Sequence, residues 1–207
     1  MPDGAASPGN VLPGIIRVLA PADEREFAAH LLRLDRASRR DRFNGMTDDD
    51  FVRTYAARCF SGKTIVFGYI EGGTIHAAAE LHHLDGEAKG EGEIAFSVER
   101  NFQHKGIGSL LFGHLVALAR HLGYMRLSVT THSGNEAMKA LARKFNAKLS
   151  FQHYETVGVI DISETRRHAE AGGWGLFGLL ADLAHSARRR WHATDASDGR
   201  GEDGRPH

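Results

Sequence analysis

Six residues in the middle of the chain, Gln103-His104-Lys105-Gly106-Ile107-Gly108, have the types and spacing to hold an anion. Two glycines let the backbone come close to a ligand. The run before them, Glu93 to Val98, reads as a strand, and an apolar period after them predicts a helix from about Ser109 to Leu122. A helix starting at that point aims its unsatisfied N–H groups and the positive end of its dipole at the loop. Together these features suit a pyrophosphate, with Lys105 as an additional phosphate contact. Two other phosphate-binding patterns do not fit. A dinucleotide fingerprint needs glycine or alanine at position 111, where Leu111 stands, and a P-loop needs Gly-Lys-Ser/Thr where Gly108-Ser109-Leu110 stands. The bare pattern Q-x-x-G-x-G also describes an ordinary glycine turn before a helix, so its meaning depends on its neighbours.

The thirteen histidines raise the question of metal. His76, His82 and His83 fall on or near one strand, but adjacent residues of a strand point to opposite faces, so His82 and His83 diverge. No helix carries the usual paired-histidine spacing, and no metal is expected. Cys59, the sole cysteine, lies at the apolar end of a helical pattern and reads as a packing residue; a lone thiol also suits a reducing compartment.

The surrounding elements can be read from period and punctuation. Ile15 to Leu19 is a short strand. Asp23 and Glu26 offer a capping box for a helix to about Leu34 with Phe27, Leu31 and Leu34 on one face. Asp35 to Asn44 is dense in arginine. A second capped helix starts near Thr47 and carries Phe51, Tyr55 and Phe60. Thr64 to Ile70 and Thr74 to Leu81 form a hairpin about Glu71-Gly72-Gly73. Asp85 to Gly92 is a polar loop. Gly123 ends the helix that follows the glycine loop. Arg126 to Thr130 is a strand, Asn135 opens a helix with Met138, Leu141 and Phe145 on one face, and two last strands cover Leu149 to Tyr154 and Val157 to Ile162. The order is mixed α and β around a strand–loop–helix–strand unit.

With 207 residues, about 42% apolar, the chain can bury a sizeable core. Lysine plus arginine and aspartate plus glutamate number 26 each, which argues against a nucleic-acid partner. No segment has the ~18–20 apolar residues that span a bilayer. Met1 to Pro13 has neither the basic nor the apolar region of a signal peptide, so a flexible leader and a cytoplasmic location are expected. The segment 164–193 holds Trp174, Leu176, Phe177, Leu179, Leu180 and Leu183 before Arg188-Arg189-Arg190. It reads either as an amphipathic helix for a partner or a membrane surface, or as a helix packed on the domain or weakly ordered. Residues 194–207 are expected to be disordered.

In order and spacing, Glu93-Ile-Ala-Phe-Ser-Val98, Gln103 to Gly108, the helix to Leu122, Arg126 to Thr130 and Asn135 to Phe145 resemble the GNAT acetyltransferase family. The resemblance covers Ile15 to Ile162. It is closest to the branch with bacterial protein-lysine acetyltransferases, through the glutamate early in the strand, the pattern Asn135, Met138, Leu141, Ala142 and, more weakly, Arg39 to Phe43. It implies a GNAT fold over residues 14–163, with a mixed, mostly antiparallel central sheet flanked by helices, and a C-terminal helical or disordered extension.

The resemblance further implies acetyl-CoA as co-substrate and an amine, protein lysine or small molecule, as acceptor. Backbone groups of Phe96, Ser97 and Val98 would pair with the pantetheine arm. Gln103, His104, Lys105, Gly106, Ile107, Gly108 and Ser109 would surround the pyrophosphate, and Asn135 would contact the cofactor. A lysine-like amine, pKa near ~10.4, must lose a proton before it attacks the thioester in a ternary complex. Glu93 is the candidate general base and Glu99 the reserve. The Val98 N–H is the candidate oxyanion donor. Two positions depart from the family: Ala142 stands where a tyrosine often protonates the thiolate, and Asn146-Ala147 replaces Gly-Phe. Asp85, Glu87 and Glu91 would attract a cationic amine. The alternative reading is a catalytically weak acyl-CoA sensor that keeps the glycine loop and does not need Glu93. A third is a surface-associating protein driven by residues 174–191.

Overall fold

The computed structural model describes residues 12–84 and 90–163. Asp85 and Glu87 of the polar loop, most of the leader and the whole segment from residue 164 lie outside the described residues. The elements, in chain order, are β1 (Ile15–Val18), α1 (Glu24–Arg33), α2 (Arg36–Phe43), α3 (Asp49–Ser61), β2 (Thr64–Glu71), β3 (Thr74–His83), β4 (Glu91–Val98), α4 (Ile107–His121), β5 (Arg126–His132), α5 (Glu136–Lys144), β6 (Lys148–Gln152) and β7 (Glu155–Asp161). Short 3-10 turns at Pro21–Asp23 and Arg100–Phe102 precede α1 and the glycine loop.

The strands form one seven-stranded sheet in the order β1-β2-β3-β4-β5-β7-β6. Every neighbouring pair is antiparallel except β4–β5, joined by the crossover helix α4. That parallel pair has three rungs, Glu91↔Arg126, Gly92↔Leu127 and Glu93↔Ser128. Beyond them β4 stays on β3 as far as Val98↔Ala77, and β5 stays on β7 as far as His132↔Glu155. Each strand keeps its outer neighbour and loses its inner one, so the sheet opens as a wedge from Ile94 and Val129 onward.

Alternation sorts the side chains of β4. Ile94, Phe96 and Val98 face the core built with α4 and α5, where Leu111, Phe112, Leu115 and Leu118 are fully buried. The rings of Phe96, Phe112 and Phe145 stack in series, with centroids 5.1 and 4.0 Å apart, and tie β4 to α4 and to the end of α5. Glu93, Ala95 and Ser97 face the opposite side, under α1, α2 and α3, where Leu19, Phe27, Leu31, Val52 and Ala56 make a second core.

One capping expectation needs correction, and two helices take fuller form. Asp23 does not cap α1 through a capping box. Its carboxylate accepts two 2.7 Å hydrogen bonds from Arg17 and one from the Ala20 N–H, because the 3-10 turn places it over β1 instead. The arginine-dense stretch is helix α2, capped by Asp35, whose Oδ1 accepts from the Ala37 and Ser38 N–H groups, and closed by Asn44 at φ 55°. In α3 the buried face is Val52, Ala56 and Cys59, while Phe51 is 42% exposed and its ring meets Phe43 edgewise and Tyr55 in a stack. Asp48 caps that helix in place of Thr47. Asn146 does adopt the left-handed conformation, φ 60°, so the turn after α5 needs no glycine.

Candidate active site

The wedge between β4 and β5 opens into a cleft of about 980 Å³. Its floor is Phe96, Ser97 and Val98, one wall is the glycine loop and the start of α4, a second is Asn135 to Lys144 of α5, and the roof is Asp35 to Arg42 around α2. A ligand-sized crevice beyond the carboxyl ends of parallel strands is the usual place for a binding site in such sheets.

Two strand residues supply the polar edge of the floor. The Glu99 N–H donates to the His76 carbonyl across β3, at 3.0 Å. N–H groups of an antiparallel strand alternate between its edges. The Val98 and Phe96 N–H groups therefore point to the other edge, toward the gap that β5 leaves. The Val98 carbonyl accepts from Gln103 Nε2, at 3.0 Å.

The loop divides its labour. Gly106 has φ 85°, a conformation that strains any residue with a Cβ, and a Cβ placed there meets nothing within 4 Å. The strand-to-helix turn needs that glycine for its backbone, and the space beside it is free for a ligand. α4 begins at Ile107, two residues earlier than its periodicity predicts, so the N–H groups of Ile107, Gly108 and Ser109 are its orphan donors. Gln103 lines the cleft with its amide already engaged. Its amide bridges Val98 and Ser38 Oγ, and so ties the loop to β4 and α2. Lys105 is absent from the cleft lining, and its ammonium lies 4.8 Å over the Phe102 ring. His104, Gly106, Ile107, Gly108 and Ser109 do line the cleft. Asn135 lines it too, with its side chain committed to capping α5 through the Met138 N–H and to Thr131 Oγ1, both at 2.9 Å.

Sequence reasoning missed Lys144, which lines the same wall and donates to Ser109 Oγ at 3.0 Å. The signal was distributed: Lys144 is 35 residues from the loop and reaches it only because α5 packs beside α4. Arg100 also lines the cleft and was not singled out.

Glu93 stands at the last rung of the β4–β5 pair, opposite His82 on β3 and Ser128 on β5, and is half-buried on the α2–α3 face. It lies at the closed end of the wedge, three residues before the floor, and is not among the cleft-lining residues. Glu99 is spent in a network with His30, His76 and Arg33 and is not free to act as a base. Cys59 is a packing residue, its thiol pushed up to about 12 by burial and by the charge of Glu80.

Two buried ionic clusters on the α1–α3 face were not legible in sequence. Glu80, fully buried on β3, accepts 2.7 Å hydrogen bonds from Arg42 at both oxygens, one from Tyr55 and a 3.1 Å contact with His82 Nε2. Burial pushes its carboxyl up, and the charge of Arg42 with the His82 hydrogen bond overrides this and holds it well below the carboxylate range. His82 turns to this cluster and His83 to Tyr124 on the other face, as strand alternation requires. Among the described residues no group of three or more His, Cys, Asp or Glu is placed to hold a metal.

Residues 29–147, more than half of the chain, match the acetyltransferase (GNAT) family. The chain belongs to that family. Solved structures show the same fold at low identity. The GNAT domain of Streptomyces lividans PAT superposes with a TM-score of 0.62 at 19% identity, over 72% of this chain and 90% of that one. A cAMP-binding acyltransferase from Mycobacterium smegmatis gives 0.57 at 21%, over 85% of this chain and 51% of that one. The Salmonella typhimurium protein yncA, solved with its cofactor acetyl-CoA, gives 0.55 at 18%, over 74% and 96%. The chain is thus a GNAT acyltransferase with the mixed sheet and flanking helices of that fold. Among the described residues no helix is long and apolar enough to cross a membrane.

Proposed function

We propose that this GNAT enzyme moves an acetyl group from acetyl-CoA to an amine, a protein lysine or a small molecule, by direct attack in a ternary complex. The observation that carries the reading is the three-rung β4–β5 pair, whose opened edge presents strand N–H groups beside a helix N-terminus. The residues fit the co-substrate. The free edge of Phe96 to Val98 suits the amides of a pantetheine arm, as an added strand would pair. The orphan N–H groups of Ile107 to Ser109 and the ammonium of Lys144 suit a pyrophosphate, and the space at Gly106 admits it. When bound, acetyl-CoA supplies an activated acyl group.

Glu93 is the proposed base. Its carboxylate enters none of the ion pairs of the described residues and faces the α2 side, and from the closed end of the wedge it would act on an amine in the cleft through water. The Val98 N–H is the proposed donor to the carbonyl oxygen as charge develops there. Asp35 and Asp41 in the roof attract a cationic acceptor; Asp35 is held ionised first by the Ser38 backbone N–H. With Ala142 where a tyrosine would stand, no side chain is assigned as acid for the thiolate, whose pKa near ~8.5 makes it a tolerable leaving group. The protein-lysine assignment rests on the sequence pattern at Glu93, Asn135, Met138 and Leu141. A cytoplasmic location remains the matching proposal.

Calorimetric titration of acetyl-CoA into wild type, Gly106→Ala and Gly106→Glu tests the reading. Ala adds the backbone strain alone, and Glu adds a carboxylate in the anion site. Binding by wild type that weakens modestly in Ala and vanishes in Glu supports it. A folded wild type that binds nothing overturns it.

A further inference from the structure

Ser97 is the one residue of the cleft floor that carries a hydroxyl, and its hydroxyl is not idle. Ser97 pairs with Ala78 across β3, and Ala78 lies in the core beneath α1 and α3, so the serine side chain points to the roof side of the sheet. There its Oγ meets Nε2 of His30, from α1, at 2.8 Å. Nδ1 of the same imidazole meets Oε1 of Glu99 at 3.0 Å. A serine, a histidine and a carboxylate are thus joined in line, from residues 97, 30 and 99, with the buried serine in the floor of the cleft proposed to receive an acyl thioester.

The protonation states follow from the surroundings. The Glu99 carboxylate also accepts from Arg33 Nε at 3.0 Å and lies 2.9 Å from His76 Nδ1. Burial pushes this carboxyl up, and the histidine hydrogen bonds with the Arg33 charge bring it down to about 2, so it is ionised and can only accept. His30 Nδ1 must then carry the hydrogen it donates to Glu99. The imidazole is fully buried, and burial lowers its pKa more than Glu99 raises it, so the ring is neutral at neutral pH. Nε2 is left with a lone pair, and the Ser97 hydroxyl donates to it. That is the tautomer a histidine needs to take a proton from serine. His76 is stacked on Phe102 with centroids 4.0 Å apart, which fixes the carboxylate from its far side. The N–H of the next residue, Val98, points into the cleft, where a carbonyl oxygen attacked by Ser97 would gather charge.

We infer that Ser97, His30 and Glu99 form a nucleophile–base–orienter set that gives this enzyme a second activity, the cleavage of its acyl-CoA to free CoA and carboxylate when no amine is present. The inference rests on the proposed acyl-CoA site. In the first step Ser97 Oγ bonds to the acyl carbon as the carbon–sulfur bond breaks; the serine proton passes to His30 Nε2 and from there to the departing thiolate. In the second step water bonds to the acyl carbon as the ester bond to Ser97 breaks. The water proton passes through His30 Nε2 back to Ser97 Oγ, and the carboxylic acid released loses its proton to solvent. No oxidant or reductant is needed.

A purely structural role is the competing account, since the same bonds tie α1 to β4. The readouts are therefore ones that anchoring does not produce. Wild type, Ser97→Ala and His30→Gln are incubated with acetyl-CoA and no amine. Free CoA is followed with a thiol reagent, and acid-quenched protein is examined by intact and peptide mass spectrometry. Separately, apo protein is treated with a fluorophosphonate probe. We expect CoA release at least ten-fold above the solution rate, an acetyl mark on the peptide holding Ser97, probe labelling at the same residue, and loss of all three in Ser97→Ala with circular dichroism unchanged. His30→Gln, with no base, is expected to lose labelling as well. Wild-type protein that binds acetyl-CoA by calorimetry but releases no CoA, or a Ser97→Ala variant as active as wild type, overturns the inference and leaves the transferase reading standing. Absence of acetyl-CoA binding removes both.

Discussion

Glu93 and Glu80 are two glutamates on one face of adjacent strands with opposite environments, and their substitutions should separate cleanly. Glu80 is fully buried and held by Arg42, Tyr55 and His82. Glu93 shares the face, half-buried and free of those ion pairs. Glu93→Gln should lower kcat for amine acetylation by about 10²–10⁴-fold, the range for a general base, with acetyl-CoA affinity unchanged by calorimetry; an unchanged kcat would reassign the base. Arg42→Met should instead cost about 3–5 kcal/mol of stability, because it strands a buried carboxylate, and pairing it with Glu80→Leu should recover most of that loss in urea melts. The place of Glu93 on the strand before the glycine loop was legible in sequence because that relation is local. The Glu80 cluster and the His30–Ser97–Glu99 line were not, because their members come from positions 38 and 67 residues apart that only the folded sheet and helices bring together.

At the scale of elements, most strands and α4 were plain in the sequence through their apolar period, although β4 begins at Glu91, inside the stretch expected to be loop, because Glu91 and Gly92 pair with Arg126 and Leu127 of β5. α2 was not plain. Its residues Arg36–Phe43 bury nothing fully, and no stripe marks a helix. What holds it is polar and partly distant: the Asp35 cap, Arg39 on the Leu32 carbonyl and on Asp49, and Arg42 on Glu80. The reversal at Asp23 has the same origin, since a capping box and a salt bridge compete for one carboxylate and Arg17 on the neighbouring strand wins. The cap of α3 has no such rival. Asp48→Ala should cost about 1 kcal/mol in urea unfolding, with little change in kinetics, since Asp48 is outside the cleft lining. A loss of acetyl-CoA binding in that variant would mean that α3 supports the roof more tightly than its contacts show.

For the molecule as a whole, the two buried clusters set the response to acid. His30 is held neutral by burial, so its folded pKa lies below the ordinary value of 6.5. As pH falls past 6.5 the unfolded chain takes up that proton first, and stability begins to decline. Glu80 and Glu99 both sit below the ordinary 4.5, so their contribution is complete above that value and is lost as pH falls through their folded values. Thermal unfolding should therefore show a shallow loss of Tm from about pH 6.5 and a steeper one below about 4.5. His30→Gln should shrink the first phase to the part left by His114, whose pKa burial also lowers, and should soften the second, since the His30 hydrogen bond helps hold the Glu99 carboxyl down. A Tm that stays flat between pH 7 and 5 would show that His30 gains its proton without penalty.

The three-rung junction between β4 and β5 has a consequence for how long the protein survives. A seven-stranded sheet joined at its centre by so few hydrogen bonds behaves as two smaller sheets, β1 to β4 and β5 to β6, riveted at one corner. A ligand lying along the open seam acts as a suture between them. Amides flanking the seam, at Phe96 to Val98 and Val129 to His132, should exchange with solvent faster than those of β2 and β3, and slow when acetyl-CoA is added. Because bound ligand stabilises in proportion to the logarithm of its concentration over Kd, roughly 2.7 kcal/mol at a hundred-fold excess, the supply of acyl donor would govern not only the rate of this enzyme but its resistance to proteases.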